Sequence, residues 1–296
     1  MVKWQGRRQS DNVEDRRGAV SGAGMPAAGL IVPILRFVIG KFGVGGIVVL
    51  IGGFFALQAI GLNPLALLAP TGPQTAAPQS AQSNQEFAFA SVMLAETEDV
   101  WKRKFAEAGS RYAPPNMVIF TNSVRSACGG ATSAAGPFYC PADKKVYLDT
   151  SFFNELASRF GAPGDFGGAY VIAHEVGHHI QTITGISAQV RQKQAAVGKV
   201  EQNALQVRME LQADCYAGIW AHEADRTEGI LEEGDIDEGL RAASAIGDDT
   251  LQRNAGRRVT PESFTHGTSA QRKKWFMTGY RTGSVEACDT FSARQL

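Results

Sequence analysis

His174-Glu175-Val176-Gly177-His178 packs two imidazoles and a carboxylate into one turn and a half of helix. Positions four apart on a helix lie one above the other on the same face, so His174 and His178 can aim at a single metal ion. Glu175 sits beside the first imidazole, where it can take a proton from a water polarised by that metal. A catalytic zinc uses three protein ligands and keeps one position open. Further on, Glu210-Leu211-Gln212-Ala213-Asp214 supplies Glu210 as the third ligand. Asp214 lies one turn beyond it on the same face and can hold a ligand imidazole in orientation from behind. One short block of this kind arises by chance on an amphipathic helix. Two at a workable separation point to a site holding one Zn2+ per chain.

The same stretch offers rivals. Asp214, His222 and Glu223 are alternative third ligands. His179 follows His178 by one residue, so it points about 100° away and cannot share the metal face. Peptide hydrolysis builds negative charge on a tetrahedral oxygen, which a nearby donor can stabilise. His266, in the loop Phe264-Thr265-His266-Gly267, is the candidate for that catalytic role, with Arg272 and Tyr280 as rivals. The plainer reading of His266 is a loop histidine bonded to backbone.

These residues need elements to carry them. Phe87, Ala90, Leu94, Val100, Trp101 and Phe105 recur at helical spacing, with Gly109 as a stop. Met117–Phe120 reads as a short buried strand, and Val146 and Leu148 mark a second. With the segment between them they suggest a hairpin with a long decorated loop. From Ser151 onward the pattern is mainly helical. Asp165 is a candidate cap for the helix of His174, and Gly185 its end. Residues 188–224 hold the helical material of Glu210 and Asp214, and residues 235–246 another helix. Thr268-Ser269-Ala270-Gln271 is a capping box that opens a last helix.

Charge is balanced overall, with 29 basic and 29 acidic residues, but it is unevenly placed. Residues 1–41 carry an excess of basic groups, residues 42–85 no charge, and the remainder an acidic excess. No basic surface for nucleic acid is implied. Residues 42–62 are apolar except for Gln58, and as a helix would span roughly 30 Å, a bilayer core. The basic residues before this stretch, and the absence of any after it until Lys102, place the N-terminus in the cytoplasm. The expected organisation is a basic, disordered cytoplasmic tail with a membrane-proximal segment (1–41), a transmembrane helix (42–62), a flexible linker (63–86) and an outward-facing domain (87–296).

Cys128, Cys140, Cys215 and Cys288 all lie in that last region. An even count in an oxidising compartment suggests two disulfides. Cys128–Cys140 is the first choice, because the segment between them is short and rich in Gly, Ser and Ala, which leaves Cys215 with Cys288. Two free buried thiols are the alternative.

The H-E-x-x-H block with its downstream E-x-x-x-D resembles the gluzincin group of zinc peptidases. More closely, residues 3–10, the apolar segment, His174–Gln181, Glu210–Gly218 and Phe264–Phe276 resemble a neutral zinc metallopeptidase family of bacterial membrane proteins. His266 and Arg272 are similar to a His-Pro-x-x-x-x-Arg segment of membrane-associated gluzincins, with Gly267 in place of the proline. The resemblance implies that His174, His178 and Glu210 bind zinc, that Glu175 activates water and that Asp214 supports a ligand histidine. The expectation is an α+β, mainly helical, zincin-like metallopeptidase domain with a small β element, preceded by one transmembrane helix. It would sit in the bacterial inner membrane as a single-pass protein, its domain periplasmic or extracellular, and act on protein or peptide substrates. The rival is a non-catalytic, membrane-tethered zinc protein used for interaction or assembly.

Overall fold

Ser80 opens the first helix: its side chain accepts a hydrogen bond from the Ser83 backbone N–H and so caps α1 (Ala81–Glu107). The computed structural model describes residues 1–18, 80–158 and 164–296. The middle of α1 is buried all round from Phe89 to Glu98. Gly109 follows with φ 67°, the left-handed turn that ends the helix run.

A four-stranded sheet is built from β1 (Val13–Arg16), β2 (Asn116–Phe120), β6 (Lys145–Asp149) and β5 (Phe138–Cys140), in that spatial order. A separate antiparallel hairpin, β3 (Ser123–Ser126) with β4 (Gly129–Thr132), lies between β2 and β5 in sequence. β2 and β6 run parallel, Asn116 opposite Lys145 and Phe120 opposite Asp149. They are therefore not the two arms of the hairpin expected from their spacing. Residues 121–144 are long enough to carry the chain back to the starting end, which parallel pairing demands. β5 is the strand that returns antiparallel to β6, at the sheet edge.

The helices that follow are α2 (Ser151–Ser158), α3 (Phe166–Ile183), α4 (Ile186–Ala195), α5 (Lys199–Glu228), α6 (Asp235–Ala245), α7 (Asp248–Asn254) and α8 (Ser269–Thr282). Asp165 occupies the cap position of α3, but its side chain does not cap the helix. It accepts instead from the Val2 backbone N–H at 2.7 Å. The capping box of α8 forms as its residues suggest, Gln271 N–H to the Thr268 hydroxyl at 3.1 Å and Thr268 N–H to the Gln271 side-chain Oε1 at 2.8 Å. Both disulfides are present, Cys128–Cys140 and Cys215–Cys288.

Two glycines let the helices meet. A Cβ on Gly177 of α3 would stand 3.0 Å from Ala213 Cα on α5. A Cβ on Gly279 of α8 would stand 1.9 Å from the Cys215 carbonyl oxygen on α5. α5 is thus clasped between α3 and α8, and the apolar core surrounds it with Tyr170, Val176, Ile219, Trp220 and Phe276.

The N-terminal residues require a correction. Residues 1–18 belong to the same compact unit as residues 78–296. β1 pairs parallel with β2, Val2 is buried in the core, and the Lys3 N–H donates to the Ile230 carbonyl at 2.9 Å. Arg8 spans Glu98 and Asp99 of α1, and the Ser10 hydroxyl donates to Glu98. A basic tail with no periodicity looks unstructured in isolation, yet its arginines find carboxylates on α1. A single membrane crossing between residues 41 and 63 would separate parts that the fold joins. Among the described residues, no helix is long and apolar enough to cross a membrane. Residues 42–62 lie outside the described residues, as does most of the expected linker 63–86, whose last residues belong to α1. The fold class of the described residues is accordingly mixed α/β and mainly helical, and the expected transmembrane helix is not among them. The single-pass inner-membrane topology is not retained.

Candidate metal centre and catalytic cleft

His174 and His178 stand one turn apart on α3, their ring centroids 4.8 Å apart. Close approach at Gly177 brings α5 against this face, and Glu210 arrives between the two rings. Its Oε2 lies 3.2 Å from His174 Nε2 and 3.4 Å from His178 Nε2. Ligands about 2.0–2.1 Å from a tetrahedral zinc stand about 3.3 Å from one another, so the three side chains match that spacing. The other rivals point elsewhere. His222 donates to the Tyr280 carbonyl, and Glu223 pairs with Lys104 and Arg226.

Each ring is held from behind through Nδ1. For His174 the partner is Asp214 Oδ1 at 2.8 Å, and for His178 it is Gln181 Oε1 at 2.9 Å. Nδ1 of each ring is engaged in this way, so Nε2 of each is the atom turned toward Glu210, and in the neutral Nδ1–H tautomer it is the atom that would bind a metal. Asp214 is held in turn by the Tyr170 hydroxyl at 2.5 Å and by Arg272 through Nε and Nη2, both at 2.9 Å. Gln181 donates to the Met209 carbonyl and to Gln212. Gln206 donates to the Glu210 oxygen that faces away from the rings. Tyr170, Gln181 and Gln206 were missed in the sequence, although each sits three or four residues from a site residue on its own helix.

The electrostatics favour a cation here. Burial pulls the His174 imidazole down, yet the Asp214 and Glu210 carboxylates prevail and push it up to about 10. Burial would raise Asp214, but Arg272 and His174 hold it down at about 2. A divalent ion between neutral imidazoles and Glu210 answers the same demand. The donor set, two imidazoles and a carboxylate, suits zinc. Burial pushes the Glu175 carboxyl above its ordinary value, which makes it a better proton carrier near neutral pH.

Glu175 and the three metal-facing residues line a cleft of about 500 Å3 that also takes in Phe138, Phe152, Val171 and His266. His266 lies on the rim, about half exposed. Its loop is gathered onto one carboxylate oxygen: the backbone N–H groups of Thr265, His266 and Gly267 reach Asp248 Oδ2 at 2.7, 2.6 and 3.0 Å. The ring Nδ1 faces Asp248 Oδ1 at 3.3 Å, so Nε2 is the atom left to act in the cleft. Arg272, a rival for the oxyanion, borders the cleft, but its Nε and Nη2 are committed to Asp214 and Tyr170. Tyr280 does not line the cleft. His179 turns away, as its offset on the helix demands. It donates from Nε2 to the Ala113 carbonyl and accepts from the Tyr139 hydroxyl at Nδ1.

"Uncharacterized protein YpfJ" of Escherichia coli (strain K12) is 46% identical over 299 residues, covering 98% of this chain and 99% of that protein. "Uncharacterized protein Rv2575" of Mycobacterium tuberculosis (strain ATCC 25618 / H37Rv) is 46% identical over 196 residues, 62% of this chain and 65% of the other. No solved structure gives a significant match. The model of one family, described as "Putative neutral zinc metallopeptidase", matches residues 2–291, from the N-terminal strap to the turn after α8, and the chain belongs to that zinc metallopeptidase family.

Proposed function

We propose that the protein is a peptidase that hydrolyses peptide bonds in proteins or peptides with one zinc ion per chain, bound by His174, His178 and Glu210. The observation that carries this reading is Glu210 Oε2 within 3.4 Å of both imidazole Nε2 atoms, at the floor of a cleft that Glu175 also lines. When bound, zinc supplies Lewis acidity toward the scissile carbonyl and toward water. Glu175 takes a proton from the attacking water and returns it to the leaving amine. His266 donates from Nε2 to the oxygen on which charge develops, its Nδ1 accepting from the Thr265 hydroxyl at 3.1 Å. Among the described residues β5 pairs only with β6 and lies at the sheet edge beside the cleft, so its outer side suits an extended peptide backbone. A zinc protein used only for binding has no need of Glu175.

The test uses the purified full chain, zinc content measured by mass, and a mixed peptide library read by mass spectrometry. Wild type should cleave, and Glu175→Gln should keep zinc and lose cleavage by at least about a thousandfold. A zinc-loaded wild type that cuts nothing, or an undiminished Glu175→Gln, defeats the peptidase reading.

A further inference from the structure

The cleft does not end at the metal centre. His178 and Glu210 also line a second hollow of about 250 Å3 between α4 and α5, bordered by Tyr139, Arg191 and Gln206. Arg191 and Gln206 in turn line a third, of about 450 Å3, that reaches Lys199 and Thr265. These shared residues make one groove that leaves the metal centre along α4.

Its two arms differ in chemistry. On the side of Phe138, Phe152 and Val171 the wall carries a carboxylate, Glu155, besides the metal-site pair. On the α4 side the walls mix apolar residues (Tyr139, Pro141, Val190, Met209) with glutamines and an asparagine, and carry two exposed cations, Arg191 and Lys199. The carboxylate there is Glu210, already engaged by the two histidines and Gln206. Neither cation forms an ion pair among the described residues. Every Asp and Glu of the chain lies within those residues, so the undescribed segments hide no side-chain partner for them.

The wall carrying Arg191 is also braced. Gln194 and Gln202 each donate to the other's carbonyl oxygen at 3.1 Å, and Gln202 donates as well to the Val197 carbonyl at the α4–α5 corner. A guanidinium on such a wall, beside the metal centre and lacking a counter-charge, is set to take a planar carboxylate through two parallel N–H bonds.

We propose that this arm is a substrate subsite for a carboxylate, read by Arg191 with Lys199 behind it, so that the enzyme selects chains carrying negative charge on the α4 side of the cleaved bond. This rests on the peptidase reading above. The carboxylate is either an Asp or Glu side chain or the substrate's own C-terminus. Arg191 is a specificity residue; it takes no part in the proton transfers of Glu175.

The experiment profiles cleavage by the zinc-loaded full chain on two forms of one peptide library, with free and with amidated C-termini. Wild type should show about a three- to tenfold enrichment of carboxylate at one fixed distance on one side of the bond. Survival of the enrichment in the amidated library assigns it to a side chain; its loss there assigns it to the C-terminus. Arg191→Ala should flatten the preference, and Arg191→Glu should turn it toward Lys and Arg. A binding arm avoids turnover: calorimetry with zinc-loaded Glu175→Gln, one cleaved peptide and the same peptide with its carboxylate made an amide. The acid form should bind about three- to tenfold tighter, and that difference should vanish when Arg191→Ala is added. Cleavage without carboxylate preference, or a preference unchanged in Arg191→Glu, overturns this proposal alone. No cleavage at all by wild type overturns it together with the peptidase reading.

Discussion

Arg272 on α8 and Asp214 on α5 form a two-pronged, buried ion pair, Nε to Oδ2 and Nη2 to Oδ1, each 2.9 Å long. Asp214 Oδ1 also receives the His174 Nδ1–H, so the last helix of the domain is linked to the metal centre through a single carboxylate. Removing one partner of a buried pair leaves the other charged and unpaired, at a cost of about 3–5 kcal/mol. Arg272→Gln should therefore lower the melting temperature markedly, even in the metal-free protein. Asp214→Asn should also weaken zinc by about 10–100-fold, because the His174 ring loses its anchor. Chelator competition measures the zinc affinity. Unchanged affinity in a folded Asp214→Asn would separate this pair from the metal centre.

The two disulfides should have separable effects. Cys128–Cys140 ties the start of the segment that walls the cleft to the end of β5, and residues 134–139 line the cleft between them. Cys215–Cys288 ties the middle of α5 to the turn after α8, far apart in sequence. Both close loops whose removal costs about 2–5 kcal/mol. Replacing Cys128 and Cys140 by Ser should raise KM and leave zinc content intact, because only the wall loosens. Replacing Cys215 and Cys288 by Ser should appear first as a lower melting temperature. Equal loss of kcat and KM effects in both double variants would remove the distinction.

The metal-facing residues were legible because their spacing is helical: His174 and His178 share a face by the period alone, and Glu210 and Asp214 repeat the pattern. The Cys128–Cys140 pair and the α8 capping box were legible for similar local reasons, and Cys215–Cys288 followed as the remaining pair. The pairing of Arg272 with Asp214 was not, since the two come within reach only when Gly279 lets α8 lie against α5. The parallel pairing of β2 with β6 was hidden as well, because strand direction is set by how the intervening chain returns. β1, Val13-Glu14-Asp15-Arg16, carries no strand signal at all. It is a charged edge strand held by β2 and by Lys145 to Glu14, and charge suits an edge better than a hydrophobic run. The basic N-terminus and apolar stretch were real features of composition, but only the fold shows that residues 1–18 pack on the domain itself.

Asp248 sets an acid limit for the cleft rim. Burial would raise its carboxyl, but the His266 ring and the backbone N–H groups of the loop hold it below the ordinary carboxylate range. A depressed folded pKa means stabilisation that is complete above the unfolded value of about 3.9 and lost as pH falls through the lower folded value. The loop of His266 should therefore stay closed through the neutral and mildly acidic range and release only below about pH 4. In Asp248→Asn the acid-dependent loss of melting temperature between pH 5 and pH 3 should be smaller than in wild type. Identical slopes would show that Asp248 carries no such linkage.

The last prediction separates the two roles of His266. If its Nε2 donates to the developing oxyanion, His266→Ala should lower kcat by about 10²–10³-fold with zinc content unchanged. The melting temperature should hardly move, because the backbone N–H groups of residues 265–267 still reach Asp248 without the ring. A histidine that merely braces the loop would behave otherwise: its loss would lower stability and spread damage across kcat and KM together. Asp248→Asn supplies the comparison, since it keeps the ring but removes the charge that aims it. It should reduce kcat less than His266→Ala. A stable His266→Ala with nearly wild-type kcat would eliminate the donor role, leaving Glu175 as the one residue outside the metal-binding set on which the chemistry depends.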